Sequence, residues 1–227
     1  MNIPHEIFFN YIFLSAVVDI GFFLVTIFMH TTKKNGALVT LYLLQSFLLA
    51  IFLFYSAIKG GDKFLLYAAL VTFAIKVVLT PAFFYRFIEK NKLFFASSTY
   101  LSTSVTLSVI FGLSIFSYSA VFQAPSFNAV SPAIGYAPLH LAGLLIAFFV
   151  TVNRKGAFAQ IIGILTLENW VVYIAALTGF RQTFGLDLAV TFEIVVWLAI
   201  AITFILLLKR HFGTLDVVGL AHLKERE

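Results

Sequence analysis

Apolar side chains fall in blocks of about twenty along this chain, and polar residues separate the blocks rather than alternate within them. Seven blocks can be drawn, at 7–29, 36–58, 63–88, 94–122, 133–152, 157–179 and 185–209. Each is long enough to cross the hydrocarbon core of a bilayer as a helix, which needs about 20 residues. Most intervening segments are too short for a soluble domain. The longest, "QAPSFNAVSPAIGYAP" from Gln123 to Pro138, is marked by proline and glycine and is predicted to be irregular. The tail, "HFGTLDVVGLAHLKERE" from His211 to Glu227, is mixed and polar and suits the membrane surface.

Composition makes the bilayer reading firm. Of 227 residues, 61% are hydrophobic and 11% charged, and the mean hydropathy is +1.01. A soluble domain of this size has no place to hide so much apolar surface. The 28 phenylalanines are assigned to lipid and helix contacts and given no chemical role. With no cysteine, disulfides, iron–sulfur clusters and thiolate zinc sites are excluded. Met1–Asn10 lacks a basic region and the first apolar run is too long for a cleavable signal.

The basic residues read as topology signals rather than as a nucleic-acid surface. If seven spans are threaded in order, Lys33, Lys34, Arg86, Lys90, Lys92, Arg154, Lys155, Lys209, Arg210, Lys224 and Arg226 share one side. Lys59, Lys63 and Arg181 share the other. Eleven against three places the N-terminus outside and the C-terminus in the cytoplasm of a cytoplasmic (inner) membrane. "KNGA" (Lys34–Ala37) and "RKGA" (Arg154–Ala157) each open a span, and "VTFAI" (Val71–Ile75) and "VTFEI" (Val190–Ile194) each lie in the next. These echoes predict an all-α, polytopic bundle of two parallel three-helix repeats joined by span four. The division is then 1–92 for the first repeat, 93–132 for the connecting helix and loop, and 133–227 for the second repeat with its tail.

Nearly every charge sits at a span end; Asp19, Lys76, Glu168 and Glu193 do not. Left unpaired, four such groups cost roughly 10–14 kcal/mol on insertion scales, comparable with the whole stability of a domain. Each therefore needs a partner, a proton or water. Glu168 is either a neutral carboxyl bonded to Asn169 or Tyr173, or a station that alternates between charged and neutral forms. Glu193 in the next span lies within reach of a proton hop through water. Lys76 precedes Pro81 by five residues, and a proline there leaves the Val77 carbonyl without its helical donor and kinks the helix. A desolvated lysine shifts its pKa readily, and Asp19, Glu168 and Glu193 are its candidate partners. Asp19 lies one turn from Ser15, which can shelter it. His140 reads as a helix-end histidine rather than a ligand. A membrane haem needs two facing histidines, and no HExxH, P-loop or Ser-His-Asp set is present. Neither a cofactor nor a metal is expected. Span four carries Ser104, Ser108 and Gly112, a row of small residues suited to close helix approach.

"GLLIAFFVTVNRKGAFAQIIGILTLENWVVY" followed by "LAVTFEIVVWLAIAITFILLLKRHFGTLDVVGL" resembles the K subunit of bacterial respiratory complex I. The whole chain, through "IKVVLTP", "LEN" and "GTLDV", is similar to hydrogenase-4 component E, a larger relative with extra N-terminal spans. The resemblance implies a non-catalytic membrane-arm subunit of a complex-I-like assembly, such as an energy-converting [NiFe] hydrogenase or formate hydrogenlyase, lying between antiporter-like subunits. It also implies that Glu168 and Glu193 are the carboxylates of the family's second and third spans, and that Arg154–Lys155 is its basic pair. Lys76 then matches the lysine of component E. Glu168 stands about one turn later than the complex I pattern places it. Gln45 holds, in the first repeat, the place of Glu168 in the second, which removes one titrating group.

The leading reading is a proton relay through Glu193, Glu168, Lys76 and Asp19 in a multisubunit ion pump. A structural adaptor with static ion pairs, docking its neighbours through span four, is the alternative. A stand-alone small-solute transporter built from two parallel repeats is the third. The partners implied are other membrane subunits and lipid, with no nucleic acid.

Overall fold

A computed structural model describes residues 5–95, 98–121 and 137–177. Span seven with Glu193, the tail from His211 to Glu227 and nearly all of the Gln123–Pro138 segment lie outside the described residues.

The described chain is helical, with α1 at His5–Thr31, α2 at Asn35–Gly60 and α3 at Lys63–Thr72. A π-helical segment, Phe73–Leu79, joins α3 to α4 at Thr80–Asn91. Beyond it come α5 at Thr103–Val121, α6 at Ala137–Asn153 and α7 at Ala157–Leu177. Four stretches are long and apolar enough to cross a membrane: Phe13–Thr31, Asn35–Gly60, Leu65–Lys90 and Ala157–Leu177. Thr103–Ser119 and Ala137–Asn153 are apolar but shorter. The described part is a bundle of helices with apolar spans suited to a membrane, and exposed Phe13, Ile58, Phe111, Ile164 and Val171 give it an oily outer surface.

Helix α2 stands at the centre, touching α1, α3, the π segment, α4 and α7. Helix α6 packs on α7, α5 and α1. Small residues let α6 and α7 approach closely. Gly143 faces Trp170, and a methyl group there would overlap the indole ring. A methyl at Gly163 would come within 3.0 Å of the Thr151 backbone. Gly143→Ala is expected to lower stability by about 1–3 kcal/mol through overpacking. Thermal unfolding in detergent measures this, and an unchanged midpoint would show that the helices can separate without cost.

The structure corrects one boundary of the sequence reading. Span four begins at Thr103, not at 94. The residues before it form a strap along the ends of two helix pairs, with Phe95 bridged to Lys34 and Thr99 bridged to Arg154. Asn35 donates from Nδ2 to the carbonyls of Leu93 (2.9 Å) and Phe95 (3.2 Å). Asn153 accepts the Leu101 N–H on Oδ1 at 3.0 Å and takes the Tyr100 N–H on its carbonyl at 2.9 Å. These bonds satisfy backbone groups of Leu93, Phe95, Tyr100 and Leu101, which lie outside any helix. The bridges set Lys34 and Arg154, the first residues of "KNGA" and "RKGA", beside one strap.

Two large apolar cores divide the bundle by level, beside a smaller one of Ile110, Ala142 and Ile146. One holds Met29, Leu38, Tyr42, Phe84, Phe158 and Ile162. The other holds Phe22, Leu49, Phe52, Ala147, Trp170 and Tyr173. Between them, on α1, α2 and α7, the chain places Thr26, Gln45, Ser46, Glu168 and Asn169. The site occupies this polar layer.

Candidate functional site

The π-helical segment presents Lys76 to the layer. Proline has no N–H to give, and its ring crowds the carbonyl four residues back, so an α-helix cannot run undisturbed into Pro81. The chain widens instead: the Thr80 N–H donates to the Ile75 carbonyl, five residues back. Such one-residue insertions recur at functional positions in helices because they re-aim a side chain. Where the sequence predicted a kink, the structure has a widened turn, with Lys76 inside it and only 3% exposed.

Lys76 Nζ lies 2.6 Å from Glu168 Oε1 and donates to Asn169 Oδ1 at 3.0 Å. Of the three partners the sequence left open for Lys76, the structure brings Glu168. Its other oxygen, Oε2, is buried and has no hydrogen-bond partner among the described residues. The Glu168 side chain as a whole keeps 20% of its surface, against 4% for Lys76. Glu168 is thus the less buried side chain of the pair, although its Oε2 is itself enclosed. The Tyr42 hydroxyl, completely buried, lies near Ser46, Thr80 and Glu168.

Behind the pair runs a ladder of neutral groups. Asn169 Nδ2 donates to Gln45 Oε1 (3.2 Å) and to Ser46 Oγ (3.0 Å). Gln45 Nε2 points at Thr26 Oγ1 at 3.4 Å. Trp170 Nε1 donates to the same hydroxyl at 3.0 Å, and Thr26 passes its own proton to the Phe22 carbonyl at 2.7 Å. All of these donors point away from Lys76 and end on a backbone carbonyl. The ladder, built from amides and hydroxyls, holds Asn169 and through it Lys76 in a fixed orientation.

Asp19 takes no part in this cluster. Its Oδ1 lies 2.7 Å from His140 Nε2, with both residues buried. His140 does stand at a helix start, as the sequence suggested, but it faces inward and meets a carboxylate. The sequence reading offered Asp19 both Ser15 and Lys76 as partners; the structure pairs it with His140. Glu193, the remaining relay candidate, lies outside the described residues. The neutral ladder is not among the sequence-predicted site residues. A glutamine and an asparagine inside apolar spans were the available signal, since each carries an amide that hydrocarbon cannot satisfy.

At the end of the bundle near the strap, Arg154 is 2% exposed and donates to the carbonyls of Met29 and, at 2.8 Å, Thr32. Burial pulls its pKa below the usual guanidinium value, while the carbonyl end of α1 favours its charge. The basic pair is split in role: Lys155 stays nearer the surface, 5.4 Å over the Tyr100 ring.

Neither protein family models, nor curated proteins, nor solved structures yield a match to this chain.

Proposed function

We propose that this chain is a non-catalytic subunit in the membrane arm of a complex-I-like, energy-converting hydrogenase or formate hydrogenlyase-type assembly. Its part is to hold titratable groups within the bilayer for proton or ion translocation. One observation carries the reading: a lysine–glutamate pair closed at 2.6 Å in the polar layer between two apolar cores, on a widened helical turn. A proton arriving at Glu168 neutralises the carboxylate and frees Lys76 from its counter-ion. A proton leaving restores the attraction. Either change shifts the local charge by one unit where the dielectric is low, and so alters the proton affinity of any titratable group nearby. Glu193 would be the next such group, and the orientation with N-terminus outside and C-terminus in the cytoplasm is part of the proposal.

The neutral ladder favours a second reading. Lys76 is held by both Glu168 and Asn169, and Asn169 by two groups on α2. A pair so anchored also suits a static adaptor that links antiporter-like neighbours.

Affinity purification of the full chain from its native membranes in mild detergent tests the assembly. Antiporter-like and [NiFe]-type subunits should come with it, and a chain that elutes alone and monodisperse would remove the proposal. In the intact complex, Glu168→Gln and Glu193→Gln separate the two readings. A relay loses ion pumping with assembly intact, whereas an adaptor loses assembly on native gels.

A further inference from the structure

A second acid–base pair lies apart from the Lys76–Glu168 cluster, on different helices. Asp19 of α1 is 1% exposed and His140 of α6 is 6% exposed. Their side chains meet at 2.7 Å, Nε2 to Oδ1. Asp19 Oδ2 is buried with no hydrogen-bond partner among the described residues. The pair is walled by aromatic rings of α7: the His140 ring centroid is 5.7 Å from Tyr173 and 6.4 Å from Trp170. His140 lies in the first turn of α6, which begins Ala137–Pro138, where the helix dipole favours a nearby carboxylate.

The geometry points to a proton-binding site at Asp19–His140, taking one proton per chain and reached from the end of the bundle where α6 begins. The site is independent of the reading given to Lys76 and Glu168. Without the extra proton the pair is a carboxylate accepting from a neutral imidazole, with net charge −1. Uptake of one proton by the imidazole turns the same hydrogen bond into one between imidazolium and carboxylate, with net charge zero. Release reverses the step, and the proton returns to water or buffer. No other atom changes hands. The His140 side chain, 8% exposed against 2% for Asp19, is the more accessible end of the pair.

Among the residues whose side chains are described, few other charges lie near the pair. From α7 the ionisable neighbour is Tyr173, whose hydroxyl donates to the Ser15 carbonyl at 3.2 Å. Helix α6 has no other ionisable side chain, and α5 has only Tyr118, which is exposed. At the corresponding end of α2 stand Tyr55 and Lys59, the ammonium 5.9 Å over the phenol ring. On α1, His30 lies eleven residues further along and bonds the Ile146 carbonyl.

Trp170 supplies the readout, because an imidazolium beside an indole quenches its emission and a neutral imidazole does so far less. The chain has two tryptophans, so full-length Trp197→Phe protein in detergent micelles leaves Trp170 alone. Its emission should fall on acidification in a single one-proton transition. His140→Gln should abolish that transition. Asp19→Asn should move its midpoint to lower pH by about 1–3 units, since the imidazolium loses its counter-ion. Glu168→Gln should leave it in place, so the failure of either proposal can be told from that of the other. Emission independent of pH, or a transition that survives in His140→Gln, would overturn the site. Should His140→Gln fail to fold, the Trp197→Phe titration and its shift in Asp19→Asn still decide.

Discussion

Glu168→Leu should be among the most damaging single substitutions in this bundle, lowering stability by about 3–5 kcal/mol. It strands a lysine ammonium whose side chain is 4% exposed, with the Asn169 side-chain oxygen left as its acceptor. Lys76→Met should cost less. The orphaned glutamate can take a proton, and its side chain retains 20% of its surface through which to reach a polar group. The double substitution Lys76→Met/Glu168→Leu should then recover most of the loss, because a buried ion pair replaced as a whole by apolar groups is often neutral in stability. The three variants and the parent form a double-mutant cycle, read as thermal unfolding midpoints in one detergent. A double variant no more stable than Glu168→Leu would mean that charge pairing is not what holds the two helices at this level. The same variants separate stability from function, because a restored fold without ion movement is what a relay requires and a static adaptor does not.

Much of this architecture was legible in the sequence for a simple reason: a bilayer demands helices of a set length with satisfied backbones. Blocks drawn at 36–58 and 157–179 became α2 at Asn35–Gly60 and α7 at Ala157–Leu177. Hydropathy failed at 94–102, where the run is apolar enough for a helix but its backbone bonds to Asn35 and Asn153 instead. Those partners lie about 60 and 50 residues away in sequence, beyond the reach of any local pattern. The same limit governed the site. That Lys76 and Glu168 each need company follows from the cost of burial, but the choice of partner depends on how α7 crosses the π segment. Asp19 met His140 for a reason equally hidden from sequence, since the contact spans 121 positions. Pro81 foretold a disturbance in its helix, read from sequence as a kink and found as a widened π-helical turn.

Arg154→Met should cost about 3–5 kcal/mol and loosen one place in particular, the end of α1. The last carbonyls of a helix have no internal donor, and here a buried guanidinium supplies it, donating to Met29 and Thr32. A hydrogen bond from a charged donor contributes about 1.5–3 kcal/mol, and two carbonyls lose theirs together. The strap itself should hold, because its bonds to this corner run through backbone and Asn153: Tyr100 N–H to the Asn153 carbonyl at 2.9 Å and Lys155 N–H to the Ser98 carbonyl at 3.1 Å. Hydrogen exchange should therefore accelerate at residues 29–36 well before it does at 98–106, while the unfolding midpoint falls. Arg154→Lys should lie between, since it keeps a charged donor but on a shorter side chain whose ammonium is more strongly hydrated and costlier to bury. Lys155→Ala, next along the chain, removes a cation near the Tyr100 ring and should cost no more than about 1 kcal/mol. Two neighbouring basic residues that read alike as topology signals would then differ several-fold in effect, and equal losses at 154 and 155 would refute the capping role argued for Arg154.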